Sequence, residues 1–293
     1  MERRTIFPGT LLPVMLVMPQ LVLTLIFFYL PAGQAILSSF TRSDPFGMHV
    51  DFVGIDNFID LFTDPLYVDS IVRTVIFCAA VSISSMAVAL ILAVFADHEI
   101  AGRGIYRVLL IWPYAIAPAV AAVLWILLLH PQIGPVGRWL NQHGIHWDYK
   151  LDGFQAMLAV IFASTWKQVS YNFIFLLAGL QSIPKAVIEA ARMDGAKGWF
   201  RFRTVILPLL KPTMFFLLVV NLVYAAFDTF ATISAMTQGG PGKATETLVV
   251  KVYQDGYVNQ DIGSSSAQSV VLMVGVIVLT ALQFRFMGKR NAE

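Results

Sequence analysis

Residues 181–212 read QSIPKAVIEAARMDGAKGWFRFRTVILPLLKP. It is too polar to lie in lipid and too regularly patterned to be a slack connection. Pro184 suits a first helical turn, Glu189 to Met193 are good helix formers, and Asp194-Gly195 reads as a helix stop followed by a turn. A second short helix is expected from Ala196. The small residues Ala190, Ala191, Gly195 and Ala196 permit close approach of another backbone. Trp199 and Phe202, three positions apart on one helical face, offer large apolar anchors. Two accounts fit these residues taken alone: a knob that seats in a partner's groove, or an interfacial helix on the lipid surface with Trp199 and Arg201 at the headgroups.

On both sides of this stretch the chain is apolar. The 293 residues are 57% hydrophobic and 13% charged, with a mean hydropathy of +0.71. A soluble domain carries about 25% charged residues, so water is not the main solvent here. A window of about 19 residues finds apolar stretches near residues 11–30, 71–95, 108–129, 154–180, 213–233 and 269–287. Lipid supplies no hydrogen-bond partners, so each stretch is expected to be helical and no strand is expected in the core. The first stretch follows Arg3 and Arg4. It is longer than a signal-peptide core and lacks a small-x-small cleavage pattern, so it reads as a retained anchor. Prolines punctuate the spans, and Trp112 to Pro118, with Pro113 and Pro118, is the expected kink.

Six spans place both termini on one side. Of the twenty Lys and Arg residues, thirteen fall on the side of the termini and of the 181–212 loop, and five on the other side. Arg73 and Lys167 lie in or beside spans. The positive-inside rule then puts both termini in the cytoplasm. The outer segment between the first two spans carries Asp44, Asp51, Asp56, Asp60, Asp64 and Asp69, with a short amphipathic helix expected near Asn57–Phe62. It is either a solvated loop or a docking surface for an external partner.

Ionisable residues inside spans are costly and therefore candidates for function. Two qualify, Lys167 in the fourth span and Asp228 in the fifth. They either pair with each other or with a partner subunit to hold helices together, or they line a path. Gln168, Ser170, Tyr171 and Asn172 surround Lys167, and Asn221, Tyr224 and Thr229 surround Asp228. Polar groups this dense within apolar helices are expected to face a bundle interior, where hydroxyls and amides can meet a polyol. The net charge of +2 does not suggest a nucleic-acid surface. Cys78 is the single cysteine, and His130, His143 and His146 share one outer loop with Trp139 and Trp147 without a ligand framework, so no metal site is expected. Gly239-Gly240-Pro241-Gly242-Lys243 lacks the spacing of a phosphate loop and reads as a turn.

Glu189-Ala190-Ala191, then Asp194-Gly195-Ala196, then Ile206-Leu207-Pro208 resemble the EAA signature of ABC importer permeases. Phe52 to Phe58 (FVGIDNF) and Thr237 to Pro241 (TQGGP) resemble the outer-loop and turn motifs of the carbohydrate-type members. Residues 112–125, 162–173, 216–224 and 267–273 resemble the branch of that family that imports sn-glycerol-3-phosphate. The resemblance covers nearly the whole chain and implies an all-α integral membrane protein with six transmembrane helices and the type I ABC importer permease fold. It implies that Glu189, Ala190, Ala191, Asp194 and Gly195 shape a cytoplasmic coupling element whose residues from Ala196 through Trp199 to Phe202 touch an ATPase. Matching back from Glu189 to the maltose-importing members carries a solute-binding role onto Lys167, Gln168 and Tyr171, and a looser match brings in Asp228 and Thr229. A lysine there would suit a phosphorylated solute.

The partners implied are a second permease in a heterodimer, two ATPase subunits that bind ATP and Mg, and a periplasmic solute-binding protein, assembled in the bacterial cytoplasmic membrane. The chain itself would carry no cofactor and no catalytic residue. Three rivals remain: a permease for another carbohydrate or a glycerophosphodiester, a channel or ion-coupled carrier, and a membrane-embedded enzyme. The second would need no docking loop, and the third should show paired carboxylates or His ligands at one depth, which no span has.

Overall fold

The computed structural model describes residues 11–43, 49–97 and 103–290. Arg3, Arg4 and Asp44 of the charge argument lie outside the described residues, as do the side chains of Arg103, Lys289 and Arg290. The elements are α1 (Leu11–Ser38), β1 (Thr41–Ser43), β2 (Val50–Phe52), α2 (Asp56–Thr63), α3 (Pro65–Asp97), α4 (Arg103–Ala115), α5 (Pro118–Leu129), α6 (Pro135–Gln142), α7 (Gly153–Ser182), α8 (Lys185–Met193), α9 (Gly198–Asp228), α10 (Phe230–Met236), α11 (Leu248–Tyr253) and α12 (Ile262–Arg290). Helices α1, α3, α9 and α12 are each long and apolar enough to cross a bilayer. The bent pairs α4–α5 and α7–α8 raise the possible spans to six.

The chain divides into two compact units. One comprises residues up to 64 together with 252–275. Here β1 and β2 form an antiparallel pair with Arg42 opposite Asp51, the only strands among the described residues. Asn57 on α2 ties this turn together, its buried Nδ2 donating to the carbonyls of Ser39 and Thr41 at 2.9 Å each. Arg42 reaches Asp60 at 2.6 Å, so the acidic segment is partly neutralised within itself. The expected short helix is present as α2.

The other unit holds residues 65–251 and the chain from 276 onward. Its core has two clusters. Phe77, Val81, Ala122, Ala159, Val160, Ala163, Ala225 and Ile233 form one, and Ala89, Ala93, Phe173, Leu176, Leu210 and Leu217 form the other. Alanine is the commonest residue of the two clusters, since small side chains let helices in lipid pack closely. At Gly179 an added Cβ would come within 3.0 Å of Leu210 and 3.2 Å of Thr213, so glycine sets the approach of α7 to α9. Helices α1, α3 and α12 expose long apolar runs, as lipid contact requires.

Two boundaries differ from the sequence expectation. The second helix of the polar loop begins at Gly198, not Ala196, because Lys197 is extended (φ −110°, ψ 148°) and Gly198 has φ +46°. That helix does not stop before the fifth apolar stretch. It continues through a π turn at Phe202–Ile206 into Leu207–Val223 as one helix, which Pro208 permits by standing in the first turn after the π turn.

Candidate functional site

The break between α4 and α5 is sharp, 103°, and falls inside the Trp112–Pro118 stretch where a kink is expected. Pro118 opens α5 and has no N–H, so the carbonyl four positions earlier, that of Tyr114, loses its helical donor. Lys167 on α7 fills this gap. Its Nζ donates to Tyr114 O at 3.1 Å and also to Ile116 O, and it stands 5.6 Å from the centre of the Tyr114 ring. Tyr171, one turn along α7, packs its ring 5.6 Å from that of Tyr114 and 4.8 Å from that of Phe175. Trp125 on α5 meets Phe162 and Trp166 of α7 edge-on. Helix α7 thus holds both arms of the broken helix, with the lysine at the break.

The remaining polar residues of the spans lie deeper. Gln168 Nε2 donates to Asn221 Oδ1 at 2.6 Å, Asn172 Nδ2 donates to Ser85 Oγ at 3.0 Å, and Tyr224 Oη donates to Ser164 O at 3.3 Å. Thr229 Oγ1 turns back to Ala225 O. Gln168, Asn172, Asn221, Tyr224 and Thr229 are all buried, as are Ser85 and Ser164. Asn172 Oδ1, Asn221 Nδ2, Ser164 Oγ and Ser170 Oγ are buried without a protein partner. Asp228, at the end of the π turn Tyr224–Asp228, is exposed on the surface of the chain. Lys167 and Asp228 form no ion pair; among the described residues the pairs are Arg42–Asp60, Arg73–Asp69 and Lys243–Glu246. Tyr114, which residue type and position did not single out, belongs with Lys167 and Tyr171. The clue was Pro118, whose missing donor frees a carbonyl four residues back.

The polar loop folds into a compact element. Helix α8 ends at Met193, and the N–H groups of Gly195 and Ala196 return to Arg192 O (3.1 Å) and Ala191 O (2.9 Å). This pair of bonds with Gly195 at φ +82° is a Schellman closure, in which a residue without Cβ takes the left-handed position. Ala191 and Ala196 are buried against the turn and close it, leaving Glu189, Ala190, Asp194 and Gly195 exposed. Met193, Trp199 and Phe200 present the largest apolar surface, 88%, 72% and 65% exposed, with Trp199 stacked on Phe202 at 5.3 Å. Behind the element lies a cavity of about 730 Å³ bordered by Asp97, Lys185, Glu189, Arg192 and Arg201. Among the described residues no group of His, Cys, Asp or Glu is arranged to hold a metal ion.

Residues 65–290 match the family described as binding-protein-dependent transport system inner membrane component, and the chain belongs to that family. It is therefore a non-catalytic permease subunit of an inner-membrane transporter. Among its relatives are sn-glycerol-3-phosphate transport system permease proteins UgpA. That of Agrobacterium fabrum (strain C58 / ATCC 33970) is 55% identical over 285 residues, covering 97% of each chain. That of Escherichia coli O157:H7 is 50% identical over 287 residues, covering 98% of this chain and 97% of its own. A crystal structure of a bacterial ABC transporter involved in the import of the acidic polysaccharide alginate contains a chain of the same fold, with a TM-score of 0.81 at 23% identity over 97% of this chain and 96% of that one.

Proposed function

We propose that this chain is one of two permease subunits of an ATP-driven importer that carries sn-glycerol-3-phosphate across the bacterial cytoplasmic membrane by alternating access. The observation that carries the reading is the full-length similarity to sn-glycerol-3-phosphate permeases, 49–56% identical over nearly the whole of both chains. The rest of the machine comprises a second permease, two ATPase subunits that bind ATP and Mg, and a periplasmic solute-binding protein. The exposed rings of Trp199 and Phe200 beside the Gly195 turn suit a groove in an ATPase. ATP-driven closure of the ATPases then moves α8 and, through the unbroken helix α9, the transmembrane core.

Within the membrane we assign Lys167, Tyr171 and Asp228 to the solute path. Gln168, Asn172, Asn221, Tyr224 and Thr229 form the polar interior that fixes it. An exposed carboxylate in a span is too costly to face lipid, so Asp228 faces the second permease or the path. Lysine offers a point charge to a phosphate that carries close to two negative charges. Deleting the gene and testing growth on sn-glycerol-3-phosphate as sole phosphorus source tests the solute. Growth lost on deletion and restored by the wild-type chain supports the reading. Unchanged growth, with loss of growth on an unphosphorylated sugar, keeps the family and discards the solute.

A further inference from the structure

Lys167 is held in an unusual way for a buried cation. Among the described residues no carboxylate forms an ion pair with it, and its charge meets two backbone carbonyls at the C-terminal, negative end of α4. An ammonium has three donors, and two are used. Both arms of the break lie against α7, α5 through Trp125 on Phe162 and Trp166 and α4 along its length. At the end of α4 the Tyr114 ring packs on Tyr171 and Tyr114 O accepts from the Lys167 ammonium.

We propose that Lys167 is an exchangeable clasp: it closes the α4–α5 break in the empty transporter and is handed to the solute's phosphate on loading, which frees α4 to swing. This rests on the phosphorylated solute assigned above. The bonds to the carbonyls of Tyr114 and Ile116 carry charge on the donor alone, whereas a phosphate oxygen adds the attraction of opposite charges, so it competes for the same N–H groups. The Tyr114 ring, 5.6 Å from the ammonium and packed on the ring of Tyr171, borders the same break. Tyr114 thereby becomes a solute-recognition residue, and loading is reported through the backbone that the solute displaces. An uncharged polyol would leave the clasp closed.

The test uses the whole complex in lipid, with Cys78→Ser as background and spin labels at Ile105, in the first turn of α4, and Ile133, in the turn that follows α5, both exposed. In the wild type the label-to-label distance should be single and narrow when empty. It should shift with sn-glycerol-3-phosphate and binding protein, and stay put with glycerol. Lys167→Met should broaden the distribution already in the empty complex, and Lys167→Arg should restore the narrow one. A wild-type distance unmoved by a solute that is being transported overturns the hand-over, without any change at Lys167. An unbroadened empty-state distance in Lys167→Met overturns the clasp. Absence of glycerol phosphate uptake by wild type sinks the solute assignment and the hand-over together, while the empty-state distances still decide whether Lys167 holds the break.

Discussion

Gln168 on α7 and Asn221 on α9 are joined side chain to side chain at 2.6 Å in the buried interior of the membrane core. Gln168 gives Asn221 Oδ1 a donor where lipid offers none, while Asn221 Nδ2 has no protein partner. Replacing one alone with Leu strands its partner, at a cost of about 1–3 kcal/mol. Replacing both should cost less than the sum, with a coupling near 1 kcal/mol as found for polar pairs in membranes. Thermal unfolding of the detergent-purified complex for Gln168→Leu, Asn221→Leu and the double variant measures this. Strict additivity would show that the bond contributes nothing.

The exposed apolar surface of the coupling element predicts where ATPase attachment is concentrated. Trp199→Ala should weaken co-purification of the ATPase by about 30-fold or more, since a central aromatic anchor is commonly worth 2 kcal/mol or more. Trp199 stacks on Phe202 and is otherwise largely exposed, so the permease should still reach the membrane in normal amount. Quantitative pull-down with the purified ATPase, alongside membrane abundance, reads the two effects separately.

Gly195 closes α8 at φ +82°, with open space around the position where a Cβ would sit. Any side chain there meets only backbone strain, about 1–2 kcal/mol for an L-residue in the left-handed region. Gly195→Val should therefore lower the fraction of docked ATPase and uncouple ATP hydrolysis from uptake. Gly195→Asn should retain more coupling, because Asn tolerates that conformation best among other residues. The ratio of phosphate released to solute transported distinguishes them.

Gly179 faces Leu210 and Thr213 at 3.0–3.2 Å for an added Cβ. Gly179→Val should force α7 and α9 apart at a cost of about 1–3 kcal/mol, and Thr213→Ala in the same chain should recover part of it. Unfolding of the purified permease checks both.

The outline of this fold is legible in the sequence because lipid imposes a crude rule: apolar runs of span length become helices. The break in α4–α5 is legible for a similar reason, since Pro113 and Pro118 stand within one run. What Lys167 touches is not legible. Charge reasoning looks for a carboxylate and finds Asp228, whereas the structure gives the lysine backbone carbonyls, acceptors that every residue carries and that only geometry makes available. The start of the second coupling helix is missed for a local reason, because the backbone of Lys197 and Gly198 opposes the helix propensity of Ala196. The merging of that helix with the fifth span escapes hydropathy because Arg201, Arg203 and Lys211 mark the segment as loop. Long cationic side chains can reach the interface from within a helix.

The most direct measurement is uptake of labelled sn-glycerol-3-phosphate into proteoliposomes holding the complete complex, with Glu189→Ala and Lys167→Ala beside the wild type. Uptake should require ATP and binding protein. Glu189→Ala should lower uptake of any solute, and Lys167→Ala should lower that of the phosphorylated one most. Uptake that proceeds without ATP, or a fully assembled wild type that carries an unphosphorylated sugar and no glycerol phosphate, would contradict the account.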